Sequence, residues 1–188
     1  MAKIEITDLQ DHVRLEKKLI LQVIRRVIKE EGRCAKSLSI VLTDNRHIRD
    51  LSREYLGRDT ATDVISFPLE DLDWSGGKGS RTLNDLRGPG PFSALNGEII
   101  ASAELARRQA ESLSIDPRAE LLLYLVHGLL HLMGYDDRTR RAAREMHERT
   151  DALLEGVGFS ASPAGRAAGE PATLARQACR GLTAARQG

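Results

Sequence analysis

His127-Gly128-Leu129-Leu130-His131-Leu132-Met133-Gly134-Tyr135-Asp136-Asp137 closes a strongly apolar run that begins at Leu121. Apolar residues at 121, 122, 123, 125, 126, 129, 130, 132 and 133 leave only a narrow polar strip, so the spacing predicts a helix buried on most sides. The run is too short and too interrupted to span a bilayer. His127 and His131 stand four residues apart, one turn along one helix face, where both imidazoles reach a single metal ion. Gly134 follows the last apolar residue, where helices commonly stop in a left-handed turn. Such a turn brings the next residues back across the helix face and makes Asp137 the natural third ligand. Two His and one carboxylate form an accepted catalytic zinc set, with the fourth position left for water. The His pair alone is as often two satisfied core histidines as a metal site; the glycine turn and the acid after it shift the balance.

The same eleven residues resemble the signature of the YbeY family, His-Gly-x-Leu-His-Leu-x-Gly-Tyr-Asp-His, whose members are metal-dependent single-strand endoribonucleases of ribosomal RNA maturation. The match holds at His127, Gly128, Leu130, His131, Leu132, Gly134, Tyr135 and Asp136. It departs at position 137, where the family's third metal-binding His is Asp, a carboxylate that can fill the same role. A second segment, Tyr55-Leu56-Gly57-Arg58-Asp59-Thr60-Ala61-Thr62-Asp63-Val64-Ile65-Ser66-Phe67-Pro68, is similar to the family's Tyr-Arg-x-Lys-Asp-x-Pro-Thr-Asp-Val-Leu-Ser-Phe-Pro. The family's functionally implicated Arg falls on Leu56, so its role does not carry over. Arg58 matches the basic residue two positions later and is the candidate catalytic-cleft residue, expected to bind a substrate phosphate; the alternative is an exposed surface Arg. Glu98 matches the acid of the family's Leu-Gly-Asp-Ile strand, supporting the metal centre or simply polar at a strand start. The resemblance covers most of residues 1–158 and implies a mixed four-stranded α+β fold. It also implies one divalent ion, zinc first with other divalent metals allowed, an RNA substrate (a ribosomal RNA precursor) and the ribosomal subunit as partner.

Around these segments the chain alternates element types. Residues 3–7 alternate like a strand, and the apolar spacing at 20, 23, 24, 27 and 28 predicts a helix from about His12 to Glu31, ended by Gly32. Leu38 to Leu42 reads as a second strand, and Asp44 caps a helix that carries Ile48, Leu51 and Tyr55 to Gly57. Asp63 to Phe67 is a third strand, stopped by Pro68. Glycines and prolines from Asp71 to Leu95 predict a long mobile loop, with Trp74 as its anchor or, as the weaker reading, a base-stacking residue. Asn96-Gly97 signals a turn before a fourth strand, Glu98 to Ser102, and a helix from Ala103 to Leu113 follows. Asp116-Pro117 starts the His helix, and Ala142 to Val157 mark a last amphipathic helix. The order strand, helix, strand, helix, strand, strand and then helices implies a small mixed sheet packed with about five helices, an α+β class. Two parts are expected: a domain over 1–158 and a flexible Ala/Arg/Gly-rich tail over 159–188.

Composition bounds the function. A hydrophobic share of 41% supports a real core, and an aromatic share of 4% leaves aliphatic residues and Ala to fill it. No segment reads as transmembrane and the first residues lack a signal-peptide core, so the expectation is a cytoplasmic protein without membrane contact. Cys34 and Cys179 form no Cys-x-x-Cys pattern, which argues against a thiolate metal site. The net charge is +1, with +3 on residues 161–188 and −2 on the rest. Bulk charge therefore does not advertise nucleic-acid binding; DNA is not expected, and RNA must be held by a local basic patch or by the ion. Zinc proteases place a Glu directly after the first His to handle water's proton; Gly128 stands there, so peptide hydrolysis is the weaker reading and a phosphodiester the better substrate. A carboxylate ligand makes the ion a weaker acid than three imidazoles would. A non-catalytic ribosome-assembly protein with a structural metal is the third reading. Asp136 either orients a ligand His or bonds within its turn, and His12, His47 and His147 read as surface or satisfied helix residues.

Overall fold

A computed structural model describes residues 3–69 and 94–159. The Gly- and Pro-rich stretch with Trp74 and the tail beyond Phe159 lie outside the described residues. The elements run β1 (Lys3–Asp8), α1 (Lys17–Glu30), β2 (Ala35–Thr43), α2 (Asn45–Leu56), β3 (Val64–Pro68), β4 (Leu95–Ser102), α3 (Ala103–Leu113), α4 (Pro117–Leu132) and α5 (Arg140–Glu155). The four strands form one sheet in the order β1-β2-β4-β3. β1, β2 and β4 are parallel and β3 is antiparallel to β4, so the sheet is mixed and the class is α+β, as expected.

Strand alternation sends side chains to two unequal cores. Val64 joins a large core with Ile20, Val23 and Ile24 of α1, most of α4, and Met146, Leu153 and Leu154 of α5. Its neighbour Ile65 points the other way, into a small core with Ile48 and Leu56 of α2. α4 is apolar nearly all round because it is enclosed by α1, α3, α5 and the sheet. Each fully buried Leu or Val there contributes about 1.5–3 kcal/mol. Among the described residues no helix is long and apolar enough to cross a membrane.

α4 lies against the sheet at unusually short range, and Gly128 makes this contact feasible. A Cβ at that position would stand 2.8 Å from Ser66 Oγ, 2.8 Å from Val64 Cγ2 and 3.0 Å from Ile99 Cγ2. Ser66 Oγ also donates to the Gly128 carbonyl at 3.0 Å. The helix starts as the sequence predicts, with Pro117 in its first turn and the Asp116 side chain accepting from Arg118 N.

Several boundaries differ from the sequence reading; β2, for example, runs from Ala35 to Thr43. α1 begins at Lys17, so His12 precedes the helix; Gln10 Oε1 accepts from His12 N at 2.7 Å and Val13 N at 2.9 Å, holding that stretch in turns while Val13 and Leu15 enter the core. Asn96-Gly97 is not a turn but part of β4, which starts at Leu95. Gly97 is there because Leu132 Cδ1 would stand 2.8 Å and the Phe67 carbonyl oxygen 2.9 Å from any Cβ. Pro68 is the last residue of β3 rather than the residue beyond it.

Candidate metal centre

The site forms where α4 ends and the chain folds back. Tyr135 N donates to the Leu130 carbonyl and Gly134 N to the His131 carbonyl, both at 3.0 Å, while Gly134 takes φ 93°, a conformation that favours glycine. The reversal carries Asp137 inward until it is 1% exposed. His127, His131 and Asp137 then converge, each offering a ligand atom within 4.8 Å of the others.

The two Nε2 atoms lie 3.1 Å apart, with the rings nearly perpendicular at 89° and their centroids 4.7 Å apart. Two nitrogens bound tetrahedrally to one zinc, each at about 2.0–2.1 Å, would be about 3.3 Å apart, so the pair is set for a shared ion. The second nitrogen of His131, Nδ1, lies 3.1 Å from the Tyr135 carbonyl oxygen. A carbonyl only accepts, so the proton resides on Nδ1 and the Nε2 lone pair faces the site. Two imidazoles and a buried carboxylate are a donor set that suits zinc and tolerates harder divalent ions.

Tertiary contacts hold the turn. The Tyr135 hydroxyl donates to Glu31 Oε2 at 2.7 Å, and Arg149 Nε donates to Glu31 Oε1 at 2.6 Å. Arg33 Nη2 donates to the Met133 carbonyl at 3.3 Å. Burial, and then the Glu31 hydrogen bond, pushes the Tyr135 phenol above its ordinary pKa, so it stays a donor. The end of α1 and the middle of α5 thereby clamp the residue whose carbonyl orients His131. Glu31 had one sequence signal: an acid at a helix C-terminus opposes the helix dipole and wants another partner.

The other sequence candidates are distributed differently. Asp136 accepts from Arg138 N at 2.9 Å and lies 3.2 Å from Arg138 Nε, the turn-residue arrangement. Glu98, on β4, accepts from Ser39 Oγ at 2.8 Å and is outside the converging set. Arg58 directly follows the left-handed Gly57 cap of α2, half-buried, with its N–H donating to the Ser52 carbonyl at 3.2 Å; it too is outside the converging set. Its neighbour Asp59 takes two bonds from Arg49, at 2.8 and 2.7 Å, and these hold the Asp59 carboxyl below its ordinary pKa. Leu56 is 7% exposed, a core residue. His47 is exposed in the first turn of α2.

His147 is a satisfied helix residue outside the converging set, as the sequence reading allowed, but its neighbour was not legible in the sequence. It is half-buried on α5, with its ring centroid 6.0 Å from that of His127 and tilted 34° to it. Its position directly after buried Met146 and three before buried Thr150 marks the border of the inward face, a signal available in the spacing.

The sequence is similar to those of known proteins. The sequence profile of the family described as Endoribonuclease YbeY matches residues 5–158. A protein of that name from Carboxydothermus hydrogenoformans is 36% identical over 158 residues, covering 82% of this chain and 97% of its own. One from Sulfurihydrogenibium is 33% identical over 142 residues, covering 75% and 83%. One from Bacillus thuringiensis is 31% identical over 159 residues, covering 82% and 97%. A solution structure from Thermotoga maritima aligns with a TM-score of 0.48 at 20% identity, covering 88% of this chain and 99% of that one. With the profile spanning most of the chain and relatives above 30% identity along nearly their whole length, this chain belongs to the YbeY endoribonuclease family.

Proposed function

We propose that this chain performs its family's endoribonuclease reaction at one divalent ion held by His127, His131 and Asp137, with zinc the ion best suited to the donors. The substrate is RNA, a single-stranded stretch of a ribosomal RNA precursor, and the work is maturation of that RNA during ribosome assembly. The convergence of three ligand atoms within 4.8 Å carries this reading. A bound divalent ion supplies Lewis-acid polarisation of the phosphodiester and activation of a water. The chain's own part is to present the ligands: Tyr135 fixes the His131 tautomer, Gly134 allows the reversal, and burial keeps Asp137 against the imidazoles. Gly128 leaves no room for the acid that zinc proteases carry after the first His, since even a Cβ meets Ser66 and Val64 at 2.8 Å. That observation favours the phosphodiester over the peptide bond.

Arg58 is proposed as a phosphate-binding residue, supported by its place in the segment similar to the family's second motif. The ribosomal subunit as partner and the cytoplasm as location follow from the same reading. Residues 1–158 are proposed as the catalytic domain, supported by the profile's end at 158 and by α5 ending at Glu155, with 159–188 as an appendage. The test is cleavage of single-stranded RNA by the purified protein, beside casein, before and after metal is removed by a chelator. RNA cleavage that stops on chelation and returns with zinc or manganese is the expected result. Undiminished RNA cleavage by the metal-free protein, or casein cleavage alone, would overturn the proposal.

A further inference from the structure

We propose that α5 carries a track for the RNA backbone, on which Arg140, Arg144 and His147 contact phosphates of the single strand beside the bond to be cut. The inference rests on the endoribonuclease reading above and assigns residues outside the metal ligands.

Positions 140, 144 and 147 fall within about 60° of one another around a helix, so the three side chains form one stripe about 10 Å long. The stripe has a fixed inner end: the His147 ring stands 6.0 Å from His127, one of the converging ligands. Its outer end is in solvent, where Arg140 is exposed and Arg144 is 75% exposed. The stripe therefore runs from half-buried His147 at the edge of the converging set to exposed arginines in solvent.

The charges on α5 are arranged poorly for the helix and well for an anion. The first turn contains no acid, and Arg140 and Arg141 occupy it, against the helix dipole. Arg144 has one acidic neighbour, Glu148, at 3.5 Å. That pair is exposed on both sides and runs Arg before Glu, the weaker order on a helix. Arg140 has no carboxylate partner among the described residues. A planar guanidinium gains more from a phosphate, which it can grip with two hydrogen bonds, than from such a neighbour. With a net charge of only +1, the chain needs a local patch of this kind to attract RNA.

The experiment measures binding of a fluorescent 2′-O-methyl single-stranded 12-mer, checked to be intact after each measurement, to zinc-loaded full-length protein across a salt series. Arg140→Ala/Arg144→Ala should lower the slope of log affinity against log salt by about 1.4, at about 0.7 per lost phosphate contact, and weaken binding at low salt at least about tenfold. Lys18→Ala/Arg25→Ala on α1 removes the same charge elsewhere and should leave the slope unchanged. His147→Gln should weaken binding a few-fold while keeping wild-type zinc content. An unchanged slope in the α5 pair, or an equal fall in the α1 pair, would overturn the track. Zinc loss in His147→Gln would make His147 a ligand and overturn its place on the stripe. Failure of the wild type to bind the 12-mer would instead overturn the RNA reading itself, so the two failures are distinguishable.

Discussion

Two segments of this chain match the same family, and the fold uses them in opposite ways. From His127 to Asp137 the motif residues arrive at one point: two imidazoles with facing Nε2 atoms and a carboxylate 1% exposed. From Tyr55 to Pro68 the residues spread over both faces of the sheet. Leu56 and Ile65 fill the small core, Val64 enters the large one, Ser66 bonds to α4, and Arg58 stays at the end of α2. The first segment does its work through local geometry, a helical turn plus a reversal. The second works mainly as scaffold, placing β3 under Gly128 so that α4 can lie on it. A shared motif therefore does not mean a shared role for each residue.

The sharpest way to break this contrast is at the ligands. His127→Ala and His131→Ala should each abolish stoichiometric metal binding, a loss beyond about 100-fold, because losing merely a supporting partner of a ligand costs about 10–100-fold. Elemental analysis after dialysis reads it, and full occupancy in both variants would remove the metal centre. Leu56→Ala should do the reverse, lowering stability by about 2–5 kcal/mol while leaving one ion per chain. Denaturant unfolding beside metal analysis tests that; a variant as stable as wild type would mean the small core contributes nothing.

Asp137 sharpens the comparison from within the first segment. Asp137→Ala, which removes a ligand, should weaken metal binding by about 100-fold or more, and Asp137→His should retain it if the turn can retreat by the longer side chain's reach. Equal affinity in wild type and Asp137→Ala, by chelator competition, would exclude the carboxylate as a ligand. Tyr135→Phe keeps the carbonyl that orients His131 but removes the hydroxyl held by Glu31, so we expect about 1 kcal/mol lower stability and a metal affinity reduced by no more than about tenfold. Arg58→Ala should have the smallest effect, lowering the salt slope of single-stranded RNA binding by about 0.7 with metal content unchanged. An unchanged slope would return Arg58 to the surface.

Much of this is legible in the sequence. The i, i+4 histidines, the glycine stop and the cap at Asp116 are local features, governed by helix geometry and backbone sterics over a few residues. The mixed sheet of four strands and five helices followed from apolar periodicity and element order. What only the tertiary structure decided lies between segments distant in sequence. Gly97 looked like a turn because turns and crowded strands both demand a residue without a side chain, and only the approach of Leu132 distinguishes them. Glu31 reaches the site across 104 positions to Tyr135, and His147 meets His127 only because α5 packs on α4. Periodicity states which face of a helix is buried; it does not state which neighbour covers it. The spacing of the three converging side chains was therefore set by local sequence, while their clamp and the company they keep were set by packing.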